Sequence, residues 1–149
     1  MVINYKTCLV YSPGGHSIEL KKSIKGIKFK NSYDVTFNSG KVYKNKVYFI
    51  THPRKKIIRF VVNFFESFLI LLKERPKIII STGADVAVAT LILGKIFFKS
   101  KTIFIESVGN YDKPTLSGRL CYNFCDLFII QFTKLKKIYP KSILANSII

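Results

Sequence analysis

Ile78-Ile79-Ile80-Ser81-Thr82-Gly83-Ala84-Asp85 is the stretch of sequence that decides the fold of this chain. Three isoleucines run into a Ser-Thr-Gly turn, and a mainly apolar run over 86–98 follows the turn. This order predicts a buried strand, a tight turn and a helix whose N-cap is Asp85. Ligands of open α/β sheets bind beyond the carboxyl ends of such strands, so we expect a site at this edge of the sheet.

The composition indicates one globular domain with a strongly basic surface. The chain has 149 residues and is 48% hydrophobic, which suffices for one core and excludes a disordered chain. Its 25 basic and 8 acidic residues give a net charge of +17, which favours anionic lipid or a phosphorylated substrate as partner. Nucleic acid is not expected as a partner, because the lysines are scattered and no arginine-rich helix is present.

The cysteines and the hydropathy pattern exclude several classes of protein. Cys8, Cys121 and Cys125 show neither an even count nor metal-ligand spacing, so we expect reduced thiols and no metal site. No cofactor is expected either. Met1 leads quickly into a strand, which argues against a signal peptide. No uninterrupted run of 18 apolar residues occurs, so a membrane-spanning helix is not expected.

Strand and helix patterns alternate along the chain. Strands are predicted at 7–11, 33–37, 47–51, 78–80, 101–105 and 126–131, with a last strand or tail over 142–149. Helices are predicted at 17–25, 57–72, 86–98, 115–124 and 133–139. This order favours an α/β fold, a single Rossmann-like domain with a parallel, right-handed sheet.

Polar side chains follow the predicted strands and would share one edge of the sheet: His16, His52, Asp85, Glu106 and Gln131. The first lies beside Gly14 and Gly15, whose backbone N–H groups can turn toward an anion at a helix N-terminus. The glycine loop is therefore predicted to hold phosphate or substrate, with an ordinary tight β–α turn as the alternative. His52 is predicted either as a functional residue or as a solvated loop histidine.

Glu106 ends the fifth predicted strand in a chain with few carboxylates. An acid in this position predicts a general acid or base, or a carboxylate that accepts substrate hydroxyls. The alternative is a structural carboxylate that caps the following loop or pairs with a lysine.

The helix predicted over 57–72 is apolar nearly all round. Its polar residues form one narrow stripe, consisting of Arg59, Asn63, Glu66 and Ser67. Aromatic residues crowd it and basic residues flank it, namely Phe60, Phe64, Phe65 and Phe68, with Arg54, Lys55 and Lys56 before it and Lys73 and Arg75 after it. This pattern is typical of a helix in a membrane interface or against a partner protein, and a fully buried core helix is the alternative.

Six short motifs together resemble a known family. They are Ser-Pro-Gly-Gly-His-x-x-Glu-Leu at 12–20, Ile-Ile-Ser-Thr-Gly-Ala at 79–84, Ile-Phe-Ile-Glu-Ser at 103–107, Pro-Thr-Leu-Ser-Gly-Arg-Leu at 114–120, Asp-Leu-Phe-Ile-Ile-Gln at 126–131 and Tyr-Pro-Lys at 139–141. In order and spacing they resemble the capsule and exopolysaccharide subunits of the PssD/CpsF type. That family is similar to the membrane-anchor subunit of the bipartite dolichol-pathway N-acetylglucosaminyltransferase and to the N-terminal half of MurG.

The resemblance implies the acceptor-side half of a split two-Rossmann (GT-B) glycosyltransferase. Such a chain would work at the cytoplasmic face of the cell membrane, against its anionic surface. A separate donor-binding glycosyltransferase subunit would bind most of the UDP-sugar, and a polyprenyl-diphosphate-linked molecule would be the acceptor. The alternatives are a non-catalytic scaffold that activates this partner, or a stand-alone nucleotide-binding α/β enzyme, against which the missing second domain and the lack of a full Gly-x-Gly-x-x-Gly fingerprint count.

The resemblance also implies roles for individual residues. Gly14, Gly15 and His16 would lie near the diphosphates, and Gly83 near the lipid-linked acceptor. Glu106 is the first candidate base and His16 the second. Ser107 and Asn110 would bind substrate, although Asn110 stands where many members have Arg, and the segment from about Tyr139 would dock on the partner.

Overall fold

The computed structural model describes residues 1–145, and its centre is a seven-stranded, fully parallel sheet. The strand order is β5-β4-β2-β6-β7-β8-β9. These strands are β2 (Thr7–Val10), β4 (Ser32–Thr36), β5 (Lys46–Phe49), β6 (Ile78–Ser81), β7 (Lys101–Ile105), β8 (Leu127–Ile130) and β9 (Ile143–Leu144). A separate two-stranded sheet pairs β1 (Val2–Ile3) with β3 (Lys28–Phe29). The predicted α/β class with a parallel sheet is confirmed.

Helices connect most of these strands. They are α1 (Gly15–Ser23), α2 (Ile57–Glu74), α3 (Asp85–Ile96) and α4 (Leu116–Cys121), followed by a 3₁₀ helix at Thr133–Lys137. The short helix predicted over 133–139 is present as a 3₁₀ helix at Thr133–Lys137. The predicted N-cap of α3 was wrong: the N-cap is Ala84, which has a φ of +75° and makes no side-chain cap, and Asp85 is the first helical residue. Residues 146–149 of the predicted last strand or tail lie outside the described residues.

The central strands are buried on both sides, as parallel strands generally are. β6 lies between β2 and β7, with Cys8 opposite Ile79 and Ile80 opposite Ile103. All four residues of β2 are buried. Because every strand of this sheet runs the same way, the loops after β2, β6 and β7 meet at one edge, as the sequence predicted.

The two faces of the sheet are covered unequally. Helices α2 and α3 pack on one face, over a core that includes Leu71, Ile79, Leu91, Leu93, Phe104 and Ile130. The other face has a smaller core, to which α1 alone among the described helices contributes.

A stretch of this second face has no helix of the described residues over it. Its side chains are Ile103, Leu127, Ile129 and Ile143, which lie side by side in the register of β7, β8 and β9. The first three are half-buried and Ile143 is 55% exposed. This uncovered sheet face is unusual for a parallel sheet, whose strands are normally shielded on both faces.

Candidate functional site

Two loops at the carboxyl edge of the sheet are locked together by a reciprocal pair of hydrogen bonds. His16 Nδ1 lies 2.9 Å from the Thr82 carbonyl oxygen, and Thr82 Oγ1 donates to the His16 carbonyl oxygen at 2.7 Å. Gly83 follows with a φ of +100°, and a Cβ there would lie 3.4 Å from Phe104 Cζ and 3.7 Å from His16 Cε1. The predicted glycine turns after β2 and β6 therefore form one junction, and Gly83 is needed for its backbone conformation.

The contact with Thr82 fixes the proton on the His16 ring. A carbonyl oxygen can only accept, so Nδ1 carries the hydrogen and the lone pair of the neutral ring lies on Nε2. Nε2 has no hydrogen-bond partner among the described residues, and the side chain is 28% exposed. His16 therefore presents a free basic nitrogen at the rim.

Glu19 is a site residue that the sequence analysis missed as a functional candidate. Its Oε1 accepts from Ser107 Oγ at 2.9 Å and from the Val108 N–H at 3.3 Å. Its Oε2 lies 3.4 Å from His16 Nδ1 and has no hydrogen-bond partner in the described chain. Glu19 thus joins the loop after β7 to α1 and places a carboxylate behind the imidazole. The available signal was the His-x-x-Glu spacing, which puts both side chains on one face of a helix.

Glu106 lies at the end of β7 as predicted, but its carboxylate points into the protein. The residue is 1% exposed. Its carboxylate accepts from Thr115 Oγ1 at 2.8 Å, from the Ser107 N–H at 3.1 Å and from the Tyr139 hydroxyl at 3.2 Å. Burial, and then the adjacent carboxylate, raise the pKa of Tyr139 above its ordinary value, so the hydroxyl remains a donor. This geometry favours the alternative of a structural carboxylate that holds the loop before α4.

Gly118 leaves the space that Glu106 occupies, and its replacement by alanine should destabilise the fold. A Cβ there would lie 2.2 Å from Glu106 Oε2 and 2.8 Å from the Tyr139 hydroxyl. We expect Gly118→Ala to lower the free energy of unfolding by about 1–3 kcal/mol, measured by urea denaturation. Gly15→Ala is the matched control, because a Cβ at Gly15 meets nothing within 4 Å and should not destabilise. Equal stability of the two variants would contradict this packing.

The remaining predicted substrate-binding residues differ in how open they are. Gly14 is the N-cap of α1 with a φ of +103°, and both it and Gly15 face open space. Ser107 is buried, and its hydroxyl donates to Glu19 and accepts from the Gly109 N–H at 3.3 Å. Asn110 is half-buried, and its N–H donates to the Ser107 carbonyl oxygen at 3.2 Å. The glycine loop is therefore accessible to a ligand, whereas Ser107 is engaged inside the protein.

The two other predicted rim positions also lie at this edge. His52 Nδ1 lies 3.4 Å from Asp85 Oδ2 at the start of α3 and accepts from the Arg54 backbone N–H at 3.2 Å. Gln131 Nε2 donates to the Glu106 carbonyl oxygen at 2.9 Å. The first pair is partly exposed, whereas Gln131 is buried and connects the ends of β7 and β8.

Helix α2 turns most of its polar stripe toward the protein. Asn63 and Ser67 are fully buried. Asn63 Nδ2 donates to the Thr51 carbonyl oxygen at 2.8 Å, and Ser67 Oγ lies 3.0 Å from Thr90 Oγ1 on α3. Buried polar groups need such partners, so the inward orientation is fixed by these contacts.

The opposite side of α2 presents apolar residues to the surroundings. Ile57 is 77%, Phe65 is 62% and Leu69 is 63% exposed. The wider set, here called the apolar face of α2, also includes Ile58, Val61, Val62, Phe64 and Leu72. Phe60 and Phe68 were predicted to belong to it, but both are half-buried and pack against the core. The fully buried alternative is thereby excluded, and none of the described helices meets the length and hydropathy needed to span a membrane.

A basic cluster and an apolar groove lie at the start of this helix. The groove has a volume of about 270 Å³ and runs between α2 and α4, where Lys55, Lys56, Ile57, Phe60, Leu116 and Leu120 line it. Lys56 is the N-cap of α2, no side chain caps it and no acidic residue occupies the first turn. Arg54, Lys55 and Lys56 are all exposed. Cations at a helix N-terminus repel its dipole, so an anion there would be stabilising.

Comparison with known proteins assigns the family. The family described as "Oligosaccharide biosynthesis protein Alg14 like" matches residues 50–148, which is more than half of the chain. The chain belongs to this family. The matched span contains α2, the Gly83 turn and the Glu106 loop, and leaves the glycine loop with His16 and Glu19 outside it.

Individual Alg14-like relatives match over a shorter stretch. The mouse protein called UDP-N-acetylglucosamine transferase subunit ALG14 is 31% identical over 88 residues, which are 56% of this chain and 41% of that protein. The protein of the same name from Candida albicans is 33% identical over 86 residues, covering 54% and 39% of the two chains. This chain therefore aligns with less than half of the length of these relatives.

Solved structures share the fold. MurG from Acinetobacter baumannii superposes with a TM-score of 0.67 at 10% identity, covering 87% of this chain and 42% of MurG. The UDP-N-acetylglucosamine 2-epimerase from Rickettsia bellii gives a TM-score of 0.77 at 11% identity, covering 98% of this chain and 46% of the enzyme. This Alg14-like chain thus corresponds in fold to one half of each protein.

Proposed function

We propose that this chain is the membrane-associated, acceptor-side subunit of a two-component, UDP-sugar-dependent glycosyltransferase that builds a lipid-linked oligosaccharide or polysaccharide. Membership of the Alg14-like family and the mouse relative's name as a transferase subunit support this proposal. The observation that carries it is the orientation of α2, which turns Asn63 and Ser67 toward the protein and leaves a set of large apolar side chains exposed. The capsule or exopolysaccharide context implied by the sequence motifs stays a prediction.

The apolar face of α2 would lie in the membrane interface at the cytoplasmic face of the cell membrane. Its exposed isoleucine, leucine and phenylalanine side chains have the chemistry of an interfacial helix. Arg54, Lys55 and Lys56 at its start and Lys73 near its end would contact anionic headgroups, each contributing about 1 kcal/mol.

The acceptor would bind beside the start of α2. A polyprenyl diphosphate combines a long apolar chain with an anionic group, and the groove between α2 and α4 combines apolar walls with Lys55 and Lys56. Asp85 also lines this groove, which places it next to the loop that follows β6. A lipid anchored there would present its headgroup toward the carboxyl edge of the sheet.

The partner would supply the donor-binding half of the enzyme and dock partly on the uncovered sheet face. Four aliphatic side chains of this face lie in register across three strands. Parallel sheets are normally covered on both faces, so a protein partner would remove an apolar surface from water. The segment from about Tyr139 onward, which includes β9, stays the proposed docking region. Of the four aliphatic side chains named for this face, Ile143 is the most exposed.

A charge on this face should prevent assembly. We expect Ile143→Asp to weaken association with the partner at least about 10-fold, because a carboxylate would be buried in an apolar interface. Leu144→Asp is the matched control, since Leu144 is the next residue of β9, is 47% exposed and points to the opposite face. The measurement is co-purification of a small UDP-binding α/β protein with the tagged chain from the membrane fraction. Equal recovery with both variants would contradict the proposed docking face.

The chemistry needs a base at the acceptor hydroxyl while UDP leaves the donor sugar. His16 fits this role better than Glu106, because Nε2 carries a free lone pair at the rim while the Glu106 carboxylate is buried. Glu19 lies 3.4 Å from Nδ1 and would stabilise the imidazolium formed when Nε2 takes the proton. The backbone N–H groups of Gly14 and Gly15, in a loop with open space beside both Cα atoms, would bind phosphate oxygens of the reactants.

A non-catalytic scaffold is the second candidate function. The burial of Glu106 favours it, because that residue was the first candidate base and it serves here as an internal hydrogen-bond acceptor. The two functions differ in one observable. A scaffold would support full turnover by the partner after replacement of His16, whereas a catalytic half would not.

A further inference from the structure

A second pocket lies away from the groove beside α2, on the face of the sheet that α1 covers. The chain passes from β4 to the parallel strand β5 through residues 37–45 without a helix. This leaves a cavity of about 450 Å³ between α1 and that crossover loop. All of its lining residues fall within 11–45, so the Alg14-like match over residues 50–148 does not include it.

The floor of this pocket is a buried carboxylate with an unused acceptor. Asp34 lies in the middle of β4 and is 7% exposed. Its Oδ2 accepts from the Tyr11 hydroxyl at 2.8 Å, whereas Oδ1 is buried and has no hydrogen-bond partner among the described residues. The nearby Asn45 side chain partly offsets the burial that raises the pKa of Asp34, but it forms no hydrogen bond of good geometry with Oδ1. A buried acceptor without a donor is costly, which points to a donor brought by a ligand.

The rim of the same pocket is basic. Lys21 on α1 and Lys41 and Lys44 on the crossover loop line it, and all three are exposed. Among the described residues that line it, Asp34 alone is acidic. Lysine ammonium groups bind phosphate as point charges, and a buried carboxylate accepts hydroxyl donors. A ligand that satisfies both parts carries hydroxyl groups at one end and an anionic group at the other.

We propose that this pocket binds a phosphorylated sugar, with a sugar hydroxyl donating to Asp34 Oδ1 and the phosphate contacting Lys21, Lys41 and Lys44. The volume lies within the range of small-molecule sites. The pocket does not include His16, Glu19 or any residue of the groove beside α2, so the proposal goes beyond the proposed transferase function. Pro13 and Ser17, which flank the glycine loop, also line it.

Replacing Asp34 by Asn distinguishes a role in ligand binding from a role in the stability of the fold. Desolvation raises the pKa of Asp34, so the native state binds its proton more tightly than the unfolded state does. Protonated Asp34 therefore contributes stability that is fully present below its unfolded-state pKa and is lost as the pH rises through its native-state pKa. At neutral pH the buried carboxylate destabilises the native state. We expect Asp34→Asn to raise the Tm by about 2 °C or more. The same variant should weaken ligand binding, since its amide replaces part of the acceptor.

The test is titration of the full chain with glucose 1-phosphate and N-acetylglucosamine 1-phosphate, monitored by calorimetry and ³¹P NMR. We expect at least one sugar phosphate to bind about 10-fold or more tightly than inorganic phosphate or the free sugar. Asp34→Asn and Lys21→Gln should each weaken that binding, and Lys22→Gln should not, because Lys22 is exposed on the same helix but does not line the pocket. The proposal is overturned if inorganic phosphate binds as well as the sugar phosphates, if Asp34→Asn binds normally, or if neither sugar phosphate binds at millimolar concentration.

Discussion

The double variant Phe65→Glu, Leu69→Glu is expected to lose at least about 100-fold in membrane partitioning while its fold stays intact. Both side chains are more than three-fifths exposed and lie on the apolar face of α2. Full burial of one such side chain is worth about 1.5–3 kcal/mol, and about 1.4 kcal/mol corresponds to a tenfold change in partitioning. The introduced carboxylates would also be repelled by anionic lipid, which adds to the loss.

Sedimentation with liposomes that contain or lack anionic lipid measures this effect. The control is Ile138→Glu, Leu144→Glu, which introduces the same charges at two exposed apolar residues outside α2. Thermal unfolding should be nearly unchanged in both variants, since the replaced side chains contact little of the core. If the α2 variant binds liposomes as well as the control does, α2 is not the membrane contact and its apolar face must be assigned to a protein.

The second large effect is expected at His16. Loss of a general base typically lowers turnover by about 10²–10⁴-fold, and His16→Gln should do so with the partner still bound. Glutamine can still donate to the Thr82 carbonyl oxygen, so the lock between the loops after β2 and β6 need not open.

Glu106→Gln is the matched comparison for this experiment. The variant amide can accept from Thr115 Oγ1 and donate to the Tyr139 hydroxyl, which can also act as an acceptor. We therefore expect nearly normal turnover and a small loss of thermal stability. The opposite result is a large loss of turnover in Glu106→Gln and normal turnover in His16→Gln. It would assign the base to Glu106 and contradict a purely structural role for this carboxylate.

Local patterns predicted the sheet, most helices and the residues at the carboxyl edge, because each depends on residues close together in the sequence. The isoleucines of β6 and the turn at Gly83 illustrate this, because a short run of apolar residues followed by a Ser-Thr-Gly turn is enough to predict a strand and its end. Which side of α2 faces the protein could not be predicted in the same way. The helical spacing of the polar residues reveals the stripe, but only its hydrogen bonds to Thr51 and Thr90, which lie outside the helix, show that the stripe faces inward.

The sequence left two roles open for Glu106, and local patterns could not choose between them. Its partners include Tyr139, which is 33 residues away along the chain, and the gap left by Gly118. Glu19 was visible as part of a motif, but its contact with Ser107 spans 88 residues. Ala84 shows a further limit, because a positive φ at a non-glycine helix N-cap contradicts the usual capping preference that pointed to Asp85.

The central claim is that this Alg14-like chain is one half of an enzyme that works on a lipid-linked acceptor. The most direct measurement is sugar transfer from a UDP-sugar to a polyprenyl-diphosphate acceptor in liposomes. Three samples are compared: the purified chain by itself, the co-purifying UDP-binding protein by itself, and the two proteins together. The account predicts transfer only when both are present, and its loss with Phe65→Glu, Leu69→Glu. Full-rate transfer by this chain alone, free of membrane and partner, would contradict it.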